Sequence, residues 1–203
     1  MRHPLRCEEI GASPDFRHLS TIAGIALDLR YASADNFVGR DLYAPYDCAW
    51  LHCTAAGALE HVVAWLAVAR PDVTVLVLDA LRPQRVQQQL WDVLAGTDLQ
   101  MYLANPERGS IHSFGMALDV TLLDAAGREL DMGTGFDDLT PRSHPAQEPL
   151  MLARGAITHE HIANRQLLRN AMSAAGFHGI GTEWWHYDCG PRDVVRQTFR
   201  RVL

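Results

Sequence analysis

Two short segments of the 203-residue chain each combine a histidine with a carboxylate. In residues 110–119, His112 lies in a polar stretch and Asp119 lies inside an apolar run. Burying a carboxylate there costs several kcal/mol unless it meets a cation or hydrogen-bond donors. A buried Asp119 therefore needs a partner, although by itself it could equally point to solvent from a half-buried strand.

The second segment, residues 183–187, places Glu183 three positions before His186 among large aromatic side chains. In a regular strand these two residues would face opposite sides, because side chains alternate along a strand. We therefore predict a bend at Glu183. The alternative is an aromatic core strand that ends in a hydrogen-bonded histidine.

Together the two segments supply the ligand set of a catalytic zinc site. His112, Asp119 and His186 are ligands of the types that Zn²⁺ uses, and three protein ligands leave a fourth position for water. Glu183 then stays outside the ligand set. There it can act as a general base that deprotonates the zinc-bound water and later protonates a leaving amine.

Arg82 is a candidate for transition-state stabilisation. It follows the apolar run 73–78 within the segment 79–83, and its fixed cation could hold the oxyanion of a tetrahedral intermediate. An arginine before a proline is also common in surface turns. Its position alone leaves both alternatives open.

Three helices are predicted from the spacing of apolar side chains. The first helix covers residues 54–70: Thr54 can cap its N-terminus, and Pro71 ends the pattern. Residues 83–94 form a second helix with proline in its first turn. Residues 159–175 form a third.

Strands are predicted between and after these helices. The β-branched run 73–78 is typical of a strand buried on both faces. Residues 115–123 alternate, and turn residues after them lead to a partner strand near 129–132. Residues 183–187 form a last strand. This irregular alternation of elements favours an α+β fold.

Composition narrows the class of protein. The chain has no repeat or low-complexity linker, so we expect one domain over residues 1–203. With 18 basic and 24 acidic residues the net charge is -6, which argues against nucleic-acid binding and favours a small-molecule or peptide ligand.

Two further patterns bear on location and redox chemistry. The N-terminal residues lack the apolar stretch of a secretory signal, and no window reaches the roughly 18 apolar residues of a membrane span. If the sequence is complete, we expect a cytoplasmic protein without a membrane partner. The four cysteines form no CxxC pair and are expected to be ordinary thiols.

Six ordered segments resemble the D-alanyl-D-alanine dipeptidase family, the VanX-type zinc enzymes among the D-Ala-D-Ala-cleaving metallopeptidases. The S-x-H-x-x-G-x-A-x-D and E-x-x-H patterns also occur in related D,D-carboxypeptidases and identify only the wider group. The segments 31–37 and 133–137 look specific to dipeptidases. In chain order, the six segments are residues 29–37, 79–83, 110–121, 132–137, 142–144 and 183–187.

The resemblance implies a fold and a role for the candidate residues. The fold is an α+β domain with a mainly antiparallel central sheet flanked by helices and a zinc site in a central cleft. His112, Asp119 and His186 bind one zinc ion per chain. Glu183 is the general base, and Arg82 stabilises the transition state.

The resemblance also implies how a free dipeptide is held. Asp137 and Tyr31 lie near the ammonium group of the substrate, and Ser110, with Tyr43, lies near its carboxylate. Recognition of both charged ends in a closed pocket excludes longer peptides. One departure is the stretch 83–111, which is shorter than in the glycopeptide-resistance enzymes of the family.

The expected reaction is hydrolysis of D-Ala-D-Ala to two D-alanines. One alternative is a D,D-carboxypeptidase or another cell-wall peptidase with the same metal site, which a cytoplasmic location disfavours. The other is a non-catalytic protein that keeps the zinc fold for ligand capture. The presence of Glu183 argues against it, because a binding site needs no general base.

Overall fold

A five-stranded sheet forms the centre of the computed structural model, which describes residues 3–203. Its strand order is β2-β4-β5-β7-β6, and β1 pairs with β3 in a separate two-stranded sheet. The strands are β1 (Phe16–His18), β2 (Ile25–Leu27), β3 (Trp50–His52), β4 (Thr74–Asp79), β5 (Ala117–Leu123), β6 (Phe177–Gly179) and β7 (His186–Cys189). The α-helices are α1 (Cys53–Ala69), α2 (Gln84–Val93), α3 (Glu148–Ala153), α4 (His159–Ala174) and α5 (Arg192–Thr198).

The central sheet is mainly antiparallel. Only the β2–β4 pair is parallel, and β4–β5, β5–β7 and β7–β6 are antiparallel. The prediction of a mixed fold with a mainly antiparallel sheet and helices is confirmed. No helix within residues 3–203 is long and apolar enough to cross a membrane.

Helices α1 and α4 contact each other and cover one face of the sheet. Their apolar side chains, such as Leu59 and Leu168, join Val77 and Val120 in the largest core cluster. Because side chains alternate along a strand, Asp119 lies on the sheet face opposite to Val120. The core therefore occupies one face, and the other face is left for polar groups.

A bulge in β4 adds a second carboxylate to that polar face. Val77 pairs with Val120 across the two strands, but the register shifts and Asp79 pairs with Asp119. Cross-strand partners share a face, so the bulge turns Asp79 away from the side of Val77. On the other side of β5, Asp119 lies directly opposite His186 of β7.

The long elements lie close to their predicted positions. Helices α1, α2 and α4 and strand β4 each differ from prediction by one or two residues at an end. The N-cap of α1 is His52, whose ring accepts a hydrogen bond from the Thr54 backbone, so the predicted cap at Thr54 is wrong. β4 is buried along nearly its whole length, as predicted.

Two predicted strands need correction. The strand near 129–132 is wrong: this stretch contributes a single bridge between Leu123 and Glu129 beside the turn that follows β5. The last strand begins at His186 rather than Glu183, and the backbone bends at Trp184 and Trp185. The bend lies within the predicted segment but one to two residues after Glu183.

Gly115 joins the two parts of the first histidine segment. It has a φ of 62° and ends the 3-10 turn Ile111–Phe114, which carries His112, just before β5. A Cβ atom there would lie 2.7 Å from the backbone nitrogen of His52. That nitrogen donates a hydrogen bond to the Gly115 carbonyl, so the backbone has little room to move.

We predict that Gly115→Ala lowers the free energy of unfolding by about 2–4 kcal/mol, because it combines a strained φ with a steric clash. Urea denaturation of the metal-free protein measures this loss. The matched control is Gly127→Ala, which has a φ of 76° but open space around its Cβ position, and should cost about 1 kcal/mol. Equal losses in both variants would show that the close approach to His52 is unimportant.

Candidate metal centre and cleft

Three side-chain atoms converge between β5, β7 and the 3-10 turn. His112 Nε2 lies 3.1 Å from His186 Nδ1. Asp119 Oδ1 lies 2.9 Å from His186 Nδ1 and 3.3 Å from His112 Nε2. All three residues are buried. The fold thus brings the three predicted metal ligands together.

The outer hydrogen bonds of the two histidines set which ring nitrogens face the centre. His112 Nδ1 lies 2.8 Å from the Ala80 carbonyl oxygen, which can only accept, so Nδ1 carries a proton. His186 Nε2 lies 2.9 Å from Asp188 Oδ1 and donates to that carboxylate. In the neutral rings, both inward nitrogens therefore present lone pairs. Two lone pairs and a carboxylate oxygen require a shared cation.

The protonation equilibria show the same demand for positive charge. Burial by itself lowers the pKa of His186, but hydrogen bonds with Asp119 and Asp188 outweigh burial and raise that pKa to about 10. Burial raises the pKa of Asp119, but the two histidines outweigh it and hold the pKa far below its usual range. The centre stabilises a cation, whether a proton or a metal ion.

Asp188 holds the outer side of His186. Burial raises the pKa of Asp188, yet its hydrogen bond with His186 and the cation of Arg192 lower the pKa to about 2. Arg192 Nε donates to Asp188 Oδ2 at 2.6 Å. The carboxylate therefore stays ionised and fixes the ring orientation of His186, as outer partners of metal-bound histidines commonly do.

Arg82 is buried beside the centre rather than exposed in a surface turn. Its Nη2 lies 2.6 Å from Asp79 Oδ2 and 3.0 Å from Asp119 Oδ2, and its Nε donates to Asp79. Its Nη1 donates to Gln87 Oε1 at 3.3 Å. Among residues 3–203, no acceptor takes the second Nη1 hydrogen, so one donor of this guanidinium remains available.

Tyr43 lies behind Arg82. Its hydroxyl donates a hydrogen bond to Asp79 Oδ1, and its side chain is buried in a cluster with Tyr31. It does not line the cleft described next. The structure therefore packs Tyr43 against Tyr31 but leaves it outside the cleft wall.

A cleft of about 230 Å³ opens onto the candidate metal centre. Arg82 and the three converging residues line it. The remaining predicted site residues in its wall are Tyr31, Ser110, Asp137 and Glu183. The volume is below the roughly 300–1,000 Å³ of pockets for drug-sized ligands, so the cleft suits a small ligand.

Glu183 faces the cleft without belonging to the converging set. Within residues 3–203 no group donates a hydrogen bond to its carboxylate. Burial raises the pKa of Glu183, and the nearby His186 offsets part of that rise. Because the backbone bends before β7 starts, Glu183 and His186 line the same cleft despite their spacing of three residues.

Asp137 combines a strained backbone with a costly charge. Its φ of 59° lies in the left-handed region, which aspartate tolerates better than most residues. Tyr31 donates a hydrogen bond to its Oδ2 at 2.9 Å. Burial outweighs this bond and the cation of Arg82, and raises the pKa of Asp137 to about 8. An incoming cation would restore the ionised form.

Four residues of the site were not predicted from the sequence. Asp79 reaches the centre only because of the bulge in β4, and no sequence pattern predicts that bulge. Asp188 did have a signal, because it follows His186 by two positions and so shares its face of a strand. Arg192 and Arg196 also line the cleft, and their spacing of four residues on α5 places them on one helix face.

Two imidazoles and a carboxylate that converge on one point, with a free carboxylate and a guanidinium in the same cleft, form an arrangement typical of metal-dependent hydrolases. A family model described as D-Ala-D-Ala dipeptidase matches residues 15–202. The chain belongs to this family of metallopeptidases. The resemblance predicted from the six segments is confirmed.

Individual relatives agree with the family match. The D-alanyl-D-alanine dipeptidase of Escherichia coli is 38% identical over 164 residues, which are 81% of this chain and 78% of the relative. The one of Synechocystis is 33% identical over 62% of this chain and 63% of the relative. The one of Enterococcus faecalis is 31% identical over 81% of this chain and 85% of the relative.

We predict that Asp188→Asn weakens metal affinity by about 10–100-fold, because His186 loses the carboxylate that orients its ring. Competition with a fluorescent Zn²⁺ chelator measures this change. Asp193→Asn is the control: it removes a nearby negative charge from an exposed residue that makes no contact with His186. Similar losses in both variants would argue for a general charge effect instead.

We also predict that Asp137→Asn stabilises the metal-free protein increasingly as the pH rises. Asp137 has a folded-state pKa of about 8, above the unfolded value of about 3.9. Between about pH 3.9 and 8, the unfolded chain ionises Asp137 more easily than the folded protein does, so ionisation lowers the stability of the folded protein. Asparagine cannot ionise and removes this loss of stability. The gain over wild type should grow by up to about 1.4 kcal/mol per pH unit from pH 5 to 8.

Urea denaturation at a series of pH values, with a chelator present, measures this difference. Asparagine also tolerates the left-handed φ, so the backbone strain stays matched. A stability difference that does not change with pH would contradict the assigned pKa. The same variant should bind substrate less tightly if Asp137 holds an ammonium group.

Proposed function

We propose that this protein hydrolyses D-Ala-D-Ala to two D-alanines, using one zinc ion per chain bound by His112, Asp119 and His186. The observation that carries the proposal is the convergence of two imidazole lone pairs and a carboxylate oxygen within 3.3 Å of one another, beside Glu183. The relatives named D-alanyl-D-alanine dipeptidase support the substrate. A cytoplasmic location remains a prediction.

The donor set fits zinc. In a tetrahedral site with metal–ligand distances near 2.0–2.1 Å, the ligand atoms lie about 3.3–3.4 Å apart. The three observed separations of 2.9–3.3 Å need only a small expansion to reach this value. Imidazole and carboxylate ligands suit zinc, and the absence of a thiolate in this set argues against softer metals such as Cu(I).

Bound zinc would supply a Lewis acid that polarises the scissile carbonyl and makes water acidic. Glu183 takes a proton from the attacking water while the water oxygen forms a bond to the carbonyl carbon. Glu183 then gives this proton to the amide nitrogen as the C–N bond breaks. Its raised pKa suits both steps, because a carboxylate with a higher pKa is a stronger base.

Arg82 stabilises the oxyanion that develops on the carbonyl oxygen when water adds to the carbonyl carbon. One of its Nη1 hydrogens has no acceptor in the part of the chain that the structure describes. Asp79 and Asp119 fix the guanidinium, so this donor is held in place before the reaction. The Tyr43 hydroxyl donates to Asp79, which binds Arg82. We therefore propose that Tyr43 positions Arg82 rather than binding the substrate carboxylate.

The remaining residues hold the two ends of the dipeptide. Asp137, with its hydrogen bond from Tyr31, binds the ammonium group and regains its charge on doing so. Ser110 lies in the cleft wall two residues before His112 and donates to the carboxylate. A peptide extended at its N-terminus would replace the ammonium with a neutral amide and leave Asp137 unpaired, which disfavours a D,D-carboxypeptidase.

We predict that the zinc-loaded enzyme releases D-alanine from D-Ala-D-Ala and that Glu183→Gln lowers kcat by about 10²–10⁴-fold without loss of zinc. Glutamine keeps the size of the side chain but cannot take the proton. Steady-state D-alanine release, together with metal analysis of each protein, measures this change. Glu160→Gln, on the exposed start of α4, is the matched control and should behave like wild type.

Three kinds of result would overturn the proposal. Comparable kcat/KM values on a pentapeptide ending in D-Ala-D-Ala would favour the D,D-carboxypeptidase. Full activity of Glu183→Gln, or of enzyme stripped by a chelator, would exclude the zinc mechanism. If wild-type protein bound D-Ala-D-Ala without any turnover, the non-catalytic binding protein would be the better description.

A further inference from the structure

The cleft has a basic side that the proposed mechanism leaves unused. Arg192 and Arg196, both on α5, line the cleft together with Ser110. Arg196 Nε donates to the carbonyl oxygen of Gly109 at 3.1 Å. Arg196 is thereby tied to the residue next to Ser110, which we assign to the substrate carboxylate.

Arg196 has donors to spare although most of its side chain is buried. Its side chain is 18% exposed, and its Nη1 lies 3.6 Å from Asp193, too far for a good hydrogen bond. Apart from the Gly109 carbonyl, no acceptor within residues 3–203 takes a hydrogen bond from this guanidinium. Arg196 lines the cleft, so its terminal nitrogens, which within the described part of the chain make only the 3.6 Å ion pair with Asp193, keep donors available for a ligand there.

Arg196 lies among other positive charges. Burial lowers the pKa of Arg196, and repulsion from Arg108 and Arg192 lowers it further, while Asp193 and Asp188 offset part of this fall. Asp188 already binds both His186 and Arg192, and the exposed Asp193 is 3.6 Å away. An added anion would relieve this repulsion.

The same cleft holds groups suited to both ends of a zwitterion. Asp137 and Arg196 both line it. Asp137 regains its charge when a cation approaches, whereas Arg196 has donors left for an anion. The cleft therefore provides one group for an ammonium and one for a carboxylate.

We propose that Arg196, supported by Arg192, forms the subsite that binds the C-terminal carboxylate of the dipeptide together with Ser110. This inference rests on the proposed function and adds the residues that select a free carboxylate. A guanidinium presents paired N–H donors that match a carboxylate. Arg192 is already bound to Asp188, so it adds mainly charge, whereas Arg196 offers the free donors.

The test compares D-Ala-D-Ala with its C-terminal amide, which lacks the negative charge. Arg196→Met should lower kcat/KM on D-Ala-D-Ala by about 10–100-fold, mostly through KM, and should change the amide little. The preference for acid over amide therefore falls. Arg196→Lys keeps the charge and should recover part of the preference. Both substrates are measured on the same preparation of each variant. A partly folded sample would then lower kcat/KM on the acid and on the amide equally and leave their ratio unchanged.

Arg108→Met is the matched control, because it removes a neighbouring positive charge from an exposed residue that does not line the cleft. It should keep the wild-type preference. An Arg196→Met variant with an unchanged acid-to-amide ratio would overturn the subsite. Arg192 is left intact, since its contact with Asp188 would disturb the metal centre as well.

Calorimetric binding of D-Ala-D-Ala to the Glu183→Gln protein separates this inference from the proposed function. If adding Arg196→Met weakens binding of D-Ala-D-Ala, the subsite is supported. This holds even if the wild-type protein hydrolyses neither compound; absence of hydrolysis would contradict only the proposed reaction. Equal dissociation constants with and without the Arg196 change would contradict the subsite directly.

Discussion

The site depends on a row of alternating charges across the polar face of the sheet, buried except at its last member, Arg192. Each carboxylate in it meets a cation or an imidazole, and each buried cation meets a carboxylate. The row runs through Asp79, Arg82, Asp119, His186, Asp188 and Arg192. Burying so many charges is tolerable only when each is paired, because an unpaired buried ion costs several kcal/mol. At its middle, however, two lone pairs meet an oxygen, and only a cation completes the pairing.

The sheet register builds this row, and this explains what could be predicted from the sequence. Asp119 was conspicuous as a carboxylate in an apolar strand, and His186 ends up directly opposite it. The long helices and β4 were predictable because their apolar patterns are strong and local. Asp79 was not, since its place depends on a bulge, and neither were the three-residue strands, whose pairing is set by distant parts of the chain.

The limits of sequence reasoning are clearest for Tyr43 and Arg196. A tyrosine hydroxyl is chemically suited to a carboxylate ligand, but the fold gives Tyr43 a buried partner, Asp79, behind the cleft wall. Arg196 looks like an ordinary helix-surface residue in sequence, yet α5 contacts the 3-10 turn that carries His112. The 3-10 turn and α5 are far apart in the chain and are brought together only by tertiary packing. Neither the type of a residue nor its spacing from others predicts such a contact.

Substrate length then follows from where the charges lie. In an extended dipeptide the two charged ends lie within about 7 Å of each other, with the scissile bond between them. A cleft whose wall contains both the carboxylate of Asp137 and the guanidinium of Arg196 matches such a zwitterion. The cleft carries a cost when empty, since Asp137 cannot ionise easily and Arg196 is repelled by its neighbours. Only a ligand with both charged ends relieves both costs at once, so selectivity arises from the same buried charges that the fold must otherwise tolerate.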